Sequence, residues 1–223
     1  MTDTRIGTQG DIEVDPRVVK EQAQQTVRSL LDAVVELVTN SDDSYRRMDL
    51  AGGKIKIKVR RLKGGKWSLL QIEDYAQGMT IETLIEALKY GTKSSGFSTG
   101  SSVRGLWGRG MKETIISFGS GEIRTYKDGR EIGVKVWWDS VKRNARWEII
   151  ENNNSTANNG TVVLVFPEEG AGGKCNEFES LYNYLCNHYA LRGILKDRTV
   201  TLEMTSTGGR WGKARASSPK ILK

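Results

Sequence analysis

Residues 27–47 are the segment that most constrains the fold, because their apolar side chains repeat with the period of an α-helix. At about 100° per residue, one side of that helix carries Val27, Leu30, Leu31, Val34, Val35 and Val38. The opposite side carries Glu36, Asn40 and Asp43, which are neighbours at spacings of four and three residues. A polar face of this kind is usually no more than solvated surface. The same oxygen groups can also hold a hydrated Mg²⁺ ion and orient a water molecule, so the pattern alone leaves both interpretations open.

The rest of the chain predicts a sheet with helices packed on it. Residues 54–61 alternate between apolar and basic side chains and are predicted to form a hairpin with residues 67–73. Further strands are predicted at residues 122–126, 130–138, 146–150, 161–166 and 199–204, with 161–166 fully buried and 152–160 in a polar loop. Helices are predicted from Pro16 to about Met48 with a break near residue 28, from Thr80, over 111–118 and over 178–189. This order predicts an α/β (α+β) two-layer sandwich, in which helices cover one face of a mixed, mostly antiparallel sheet.

The composition limits the class of protein. A chain of 223 residues can bury one substantial core, and 37% hydrophobic with 27% charged residues is ordinary for a globular protein. The sequence contains no apolar run of about 20 residues that could cross a bilayer, and its polar N-terminus lacks the pattern of a secretory signal. Cys175 and Cys186, with a single histidine, cannot build a zinc site and are expected to be reduced thiols. We therefore expect a cytoplasmic protein without a membrane partner.

The positive charge is concentrated at the C-terminus. Residues 205–223 carry five basic side chains and no acid, which leaves only +2 of the total net charge of +7 for the other 204 residues. We expect residues 1–204 to form one domain and residues 205–223 to form a basic tail that is flexible or begins a further region. Such a tail can contact the phosphates of nucleic acid, although a disordered end would have the same composition.

Two connections at the ends of predicted strands carry residues that could recognise a ligand. Asp74 follows a predicted strand and precedes Gly78, and in a pocket its carboxylate could accept a hydrogen bond from the exocyclic amine of a base. The same residues would also suit an ordinary turn. Gly160 and Thr161 open a predicted strand, where the threonine hydroxyl could contact Asp74 or a ligand, although most such pairs are simply strand ends.

Residues 91–110 are rich in glycine, serine and threonine. They are too long for an ordinary connection and predict either a disordered loop or a functional lid. Gly105, Gly108 and Gly110 lead into Lys112 and a predicted helix, where backbone amides and a helix N-terminus could approach phosphate oxygens. The sequence has neither a P-loop nor a dinucleotide-binding glycine fingerprint.

Together and in this order, these segments resemble the motifs of the GHKL ATPase superfamily, which includes gyrase B, the 90-kDa heat-shock chaperones, histidine kinases, MutL and the MORC proteins. The likeness spans residues 20–204. Residues 36–43 (ELVTNSDD) are similar to the family's E-L-x-x-N-x-x-D box, and residues 74–79 to its adenine-binding box. The MutL and MORC phosphate loop is similar to Gly105-Leu106-Trp107-Gly108-Arg109-Gly110-Met111-Lys112. The resemblance implies the Bergerat fold, ATP and Mg²⁺ as cofactors, and ATP hydrolysis.

The resemblance also implies roles for individual residues. Glu36 would activate the attacking water, Asn40 would bind Mg²⁺, and Asp43 would support the nucleotide site. Asp74 would bind the adenine amino group, and Thr161 would close the base pocket beside it. The remaining contacts to the nucleotide would come from Arg47, Gly78, Met79, Lys93 and the phosphate loop at residues 105–112.

Several features depart from the family pattern. Ala76 stands where the family has a glycine, which should be tolerated if its φ is negative, and Lys93 and Ser94 are transposed relative to the family's lid-start motif. The family's MutL, gyrase and chaperone members bring a basic residue from a second domain to the γ-phosphate, and no such domain fits in these 223 residues. If the chain is complete, hydrolysis would be slow or would need a partner; if it is an N-terminal fragment, the rest of the protein would supply that residue. Lid closure over ATP would favour a homodimer. The alternatives are an ATP-binding sensor with little hydrolysis, or the ATPase module of a DNA-associated or defence system. His188 is expected to be a packing residue rather than a phospho-acceptor.

Overall fold

The computed structural model describes residues 15–89, 109–171, 173–207 and 215–223. The helices are α1 (Arg17–Thr26), α2 (Leu30–Arg47), α3 (Ile81–Leu88), α4 (Arg109–Phe118), α5 (Phe178–Asn187) and α6 (Arg192–Asp197). The strands are β1 (Lys54–Arg61), β2 (Trp67–Asp74), β3 (Gly119–Lys127), β4 (Arg130–Asp139), β5 (Asn144–Asn154), β6 (Gly160–Pro167), β7 (Thr199–Ser206), β8 (Arg215–Ala216) and β9 (Lys220–Ile221). None of the helices in these ranges combines the length and apolar character that a membrane span requires.

The described strands form one mixed sheet in the order β5-β4-β3-β6-β2-β1-β7-β8, with β9 also paired to β7. The pairing of β1 with β7 is parallel, and the other strand pairs are antiparallel. On one face, α2 packs against β1 and β2, and α4 packs against β3, β4 and β6. This architecture confirms the predicted two-layer sandwich.

Local sequence explains where the key elements begin and which face they bury. The hydroxyl of Ser29 accepts a hydrogen bond from the backbone N–H of Asp32 at 3.2 Å, which caps α2 and accounts for the predicted break after α1. In β1, Ile55, Ile57 and Val59 are buried beneath the helices, whereas the alternating lysines lie on the other face.

Some predictions about the later strands and helices are wrong. β6 is buried only at alternate positions: Val163 and Val165 lie in the core, whereas Phe166 is 36% exposed, because helices cover one face of the sheet. β5 continues through Asn154 into the predicted polar loop, since residues 152–154 pair with β4. α5 ends at Asn187 and is followed by a 3₁₀ turn, Tyr189–Leu191, and by α6, neither of which was predicted.

The end of the chain forms short strands in the described range 215–223. The predicted boundary at residue 205, with a tail that is flexible or begins a further region, stays a prediction. β8 and β9 pair with β7, and Leu222 is only 1% exposed. Tyr182 on α5 donates a hydrogen bond from its hydroxyl to the carbonyl oxygen of Ile221 at 3.1 Å. The basic C-terminal residues 215–223 therefore lie against β7 and α5.

Candidate functional site

A pocket opens between α2, the turn after β2 and the start of β6, with an empty volume of about 660 Å³ that includes its open mouth. Residues predicted for the site that line this pocket are Asn40, Asp43, Arg47, Asp74, Gly78, Met79, Met111 and Thr161. The fold thus brings together segments that lie far apart in the sequence. The apolar part of the wall includes Leu37 and Val163, so one pocket combines polar groups with surfaces that can hold a flat ring.

Asp74 is the buried acid of this pocket and ends β2, with only 7% of its surface exposed. Its Oδ2 accepts a hydrogen bond from the hydroxyl of Ser41 at 3.1 Å, and its Oδ1 accepts one from the backbone N–H of Ala76 at 3.1 Å. Burial raises the pKa of Asp74 to about 6, and the hydrogen bonds from Ala76, Ser41 and the Thr161 backbone oppose that rise. The two hydrogen bonds therefore fix the orientation of the Asp74 carboxyl group, but they offset only part of the cost of burying its charge.

The turn that follows Asp74 approaches β3 and β6 too closely for a side chain at two positions. Gly78 has a φ of +63°, and a Cβ there would overlap the carbonyl oxygen of Tyr126. A Cβ on Gly160 would overlap the carbonyl oxygen of Asp74. Ala76 is buried and has no positive φ, so the alanine is accommodated as we expected.

Thr125 holds this turn in place, and the sequence analysis missed it. Its fully buried hydroxyl accepts a hydrogen bond from the backbone N–H of Met79 at 2.7 Å and donates one to the carbonyl oxygen of Gly160 at 3.3 Å. Because Thr125 looks like any alternating residue of β3, only its neighbours in the sheet reveal this role.

The polar face of α2 points into the protein and not into solvent. Asp43 is 1% exposed, and Asn40 Nδ2 is buried without a hydrogen-bond partner in the described ranges. Burial lowers the pKa of Arg47, while the charges of Asp43 and Asp74 act in the opposite direction. The solvated surface that such a pattern usually indicates is therefore not what this face forms, since Asp43 is buried and Asn40 lines the pocket.

Asp42 sets the rotation of α2 about its axis. This fully buried carboxylate accepts hydrogen bonds from Arg198 Nε at 2.8 Å and from Arg46 Nε at 2.6 Å, on the side of the helix away from the pocket. Arg198 follows α6, so the pair fastens α2 to the beginning of β7. A buried pair of this kind orients the helix even where its net contribution to stability is small.

Glu36 lies one turn before Asn40 and beside α4, and it is not among the residues that line the pocket. A Cβ on Gly110, in the first turn of α4, would overlap the Glu36 carboxyl group, so glycine allows the two helices to meet there. Burial raises the pKa of Glu36, and the nearby carboxylates of Glu113 and Asp43 add to this rise. Glu113 is almost fully buried on α4 and was not predicted to be part of the site.

Lys112, which we predicted to contact phosphate, lies on α4 with its ammonium group at the end of α3; the phosphate contact stays a prediction. Its buried Nζ donates hydrogen bonds to the carbonyl oxygens of Ala87, at 3.0 Å, and Lys89, at the end of α3. The ammonium group therefore joins α4 to α3 beside the pocket. Predicted residues that lie outside the described ranges are Lys93, Gly105, Leu106, Trp107 and Gly108; Arg109 begins α4.

The donor groups of the pocket fit a Mg²⁺ ion that is held mainly by a bound phosphate. Among the described residues there is no group of three or more histidine, cysteine, aspartate or glutamate side chains that could bind a metal by themselves. Mg²⁺ commonly keeps several waters and uses one or two protein oxygens together with substrate phosphates. The Oδ1 of Asn40 is an oxygen of the kind that Mg²⁺ binds. The Nδ2 of the same amide, which is buried without a partner among the described residues, is a hydrogen-bond donor suited to a phosphate oxygen.

Comparison with known proteins identifies a family for this arrangement. Residues 28–168 match the family described as histidine kinase-, DNA gyrase B-, and HSP90-like ATPase, and this range includes α2, Asp74 and Thr161. No curated protein matches the chain. The crystal structure of the N-terminal domain of a DNA repair protein is similar over 91% of this chain and 56% of that chain, with 16% identity and a TM-score of 0.48. The chain therefore spans a little over half the length of that protein domain.

Proposed function

The chain belongs to the histidine kinase-, DNA gyrase B-, and HSP90-like ATPase family, and from this premise we propose that it binds Mg-ATP in the pocket beneath α2 and hydrolyses the γ-phosphate. One observation carries the proposal. Asn40 and Asp43 on the polar face of α2 and the buried carboxyl group of Asp74 line a single pocket, although they come from separate motifs.

The base of the nucleotide would lie at the Asp74 end of the pocket. An ionised Asp74 accepts hydrogen bonds only, so it selects a ligand with an exocyclic amine, as adenine has. Ser41 and Ala76 already hold both carboxylate oxygens in place. Met79 and Val163 provide apolar surface for the ring, and Thr161 closes the same end beside Asp74.

The phosphates would extend along α2 toward the N-terminus of α4. Asn40 would hold Mg²⁺, which neutralises charge on the phosphates when it is bound. Arg47 and Asp43 lie on the same face of α2, where the guanidinium can contact the nucleotide and the carboxylate can orient it. The glycine-rich residues 105–110 would supply backbone N–H groups to the phosphate oxygens.

Glu36 would orient the attacking water and accept its proton. Glu36 lies one helical turn from Asn40 and against Gly110 in the first turn of α4, which supports a position next to the γ-phosphate. Its raised pKa makes it a stronger base than an exposed glutamate. We expect slow turnover that a partner subunit or a further domain accelerates, with closure of residues 91–110 over ATP and formation of a homodimer.

The direct test is calorimetric titration of the chain with a non-hydrolysable ATP analogue and Mg²⁺, alongside phosphate release from ATP. We expect saturable binding of the ATP analogue, weaker binding of the GTP analogue, and measurable phosphate release. Binding without any release, including in the presence of partner proteins, would favour the alternative of a nucleotide sensor. Absence of binding would contradict both.

The setting of this activity is also a proposal. Cys175 and Cys186 are free thiols, which suits a reducing compartment such as the cytoplasm. The motif style of residues 105–112 is closest to the MutL and MORC type, so a DNA-associated or defence system is the setting we propose for the ATPase.

A further inference from the structure

A second surface lies outside the ATP pocket and carries a row of neighbouring aromatic rings, of which His188 and Tyr189 are stacked and Tyr184 is tilted against His188. Tyr184 on α5, His188, and Tyr189 in the following 3₁₀ turn form an aromatic row, with ring centroids 5.5 Å and 4.9 Å apart between successive members. Tyr184 is 44% exposed and Tyr189 is 79% exposed. Rings buried in a core stabilise the fold, but rings with this much exposed surface contribute little to it. Packing in the core therefore does not explain why three aromatic rings lie together at this surface.

Two basic residues follow the aromatic row. Residues 180–196 contain Arg192 and Lys196 and no acidic side chain, and the next residue, Asp197, lies 3.7 Å from Arg46. The 3₁₀ turn leads directly into α6, so Tyr189, Arg192 and Lys196 follow one another at helical spacings along one side. Both cations are exposed. An exposed ring is thus followed by two positive charges, each about one helical turn further on.

The end of the chain brings more positive charge to the same helix. Lys220 Nζ lies 3.9 Å from the ring centroid of Tyr182 and 3.1 Å from the carboxylate of Glu179, both on α5. Glu179 is thereby paired, and the C-terminal residues 215–223, which contain no acid, reach α5 through the hydrogen bond between Tyr182 and Ile221. These contacts bring the C-terminal residues to the Tyr182 side of α5, about 200° around the helix from Tyr184, so the charge beside the aromatic row comes from Arg192 and Lys196.

We propose that the aromatic row, together with Arg192 and Lys196, binds single-stranded nucleic acid. Unpaired bases offer flat faces that stack on tyrosine and histidine rings, and the adjoining phosphates attract the cations. A duplex hides its base faces, and an anionic lipid surface or acidic peptide offers negative charge but no series of rings to stack. This binding is separate from ATP binding, since none of the residues involved lines the ATP pocket.

The test uses the full chain and a fluorescently labelled oligothymidylate of about 15 nucleotides, a length in the range that such surfaces cover, with anisotropy as the readout. Tyr184→Ala/Tyr189→Ala should weaken binding at least about fivefold, the lower end of the contribution of base stacking. Tyr184→Phe/Tyr189→Phe keeps both rings and should retain binding. Trp147→Ala removes an exposed aromatic side chain on β5 (43% exposed) and should leave the affinity unchanged.

The charged residues give a second readout. Arg192→Gln/Lys196→Gln should lower the slope of log affinity against log salt by about 0.7 for each phosphate that the protein no longer neutralises, whereas the alanine variants of the tyrosines should leave that slope unchanged. Thermal unfolding of each variant shows whether it is folded.

Three results would overturn the proposal. The first is that folded tyrosine-to-alanine variants bind the oligonucleotide as tightly as the parent chain does. The second is that duplex DNA binds as tightly as the single strand. The third is that phosphatidylglycerol vesicles bind the chain and the oligonucleotide does not. A chain that fails to bind ATP can still be tested for oligonucleotide binding, because this assay contains no nucleoside triphosphate. Failure of the proposed ATPase function and failure of this proposal are therefore distinguishable.

Discussion

Ser41 on α2 and Asp74 at the end of β2 are 33 residues apart in the sequence and are joined by a hydrogen bond of 3.1 Å inside the protein. This bond links the helix that carries Glu36 and Asn40 to the acid that would recognise the base. A ligand that moves Asp74 must therefore also act on α2, so base recognition and phosphate chemistry share one buried contact.

Asp74→Asn should weaken binding of the ATP analogue about tenfold or more, because a buried hydrogen bond to a charged group is lost and an amide donor faces the amine of adenine. Calorimetric titration measures the change. Glu73→Gln is the matched control, since Glu73 lies on the opposite face of the sheet, where it pairs with Lys56. An unchanged affinity for Asp74→Asn would exclude Asp74 from base recognition.

The raised pKa of Asp74 predicts a pH dependence of stability in the nucleotide-free protein. Its pKa is about 6 in the folded state against 3.8 as reference, so the folded state binds the proton more tightly than the unfolded state. The stabilisation is therefore present at low pH and is lost as the pH rises through about 6. Between pH 5 and pH 7 the Asp74 contribution to the free energy of unfolding should fall by about 1 kcal/mol. Urea unfolding should show this step in the parent chain and not in Asp74→Asn; equal profiles would contradict the assignment.

Glu36→Gln should keep ATP binding and lower turnover by about a hundredfold or more, because the amide cannot accept a proton from water. Binding is measured by titration and turnover by phosphate release. Glu21→Gln, an exposed glutamate on α1, should change neither quantity. If Glu36→Gln lost binding and turnover in equal proportion, Glu36 would be a nucleotide-binding residue and not the base.

Thr125→Val should destabilise the protein by about 1 to 3 kcal/mol, because it leaves the N–H of Met79 and the carbonyl oxygen of Gly160 buried without their hydroxyl partner. Thr125→Ser retains the hydroxyl and should recover most of the loss. Urea unfolding compares the three chains. Equal stability of Thr125→Val and the parent chain would show that the turn is held by other contacts.

Binding of a non-hydrolysable ATP analogue should double the molar mass seen by light scattering, if closure of residues 91–110 over the nucleotide creates a dimer interface. The Asp74→Asn chain, at the same analogue concentration, should dimerise less because it binds less nucleotide. A molar mass that stays the same at saturating analogue would rule out nucleotide-driven dimerisation of this chain.

Much of the fold could be predicted from local patterns. The alternation in β1, the apolar stripe of α2 and the serine that caps it depend only on neighbours within a few residues. The order of the motifs was enough to predict the family and the type of fold, and the family match confirms both.

The sequence by itself thus determined most of the helices and strands up to α5 and the residues that could form a nucleotide site, because helical and strand periodicities are local. Only the tertiary structure decided which of them meet. The pairing of β2 with β6 places Thr161 beside Asp74, and the packing of α2 on the sheet brings Ser41 to the same carboxylate. The packing of α4 beside α3 likewise lets the ammonium group of Lys112 donate a hydrogen bond to the carbonyl oxygen of Ala87. These contacts join distant parts of the chain, and burial depends on what covers each face, so no pattern within one segment can specify them.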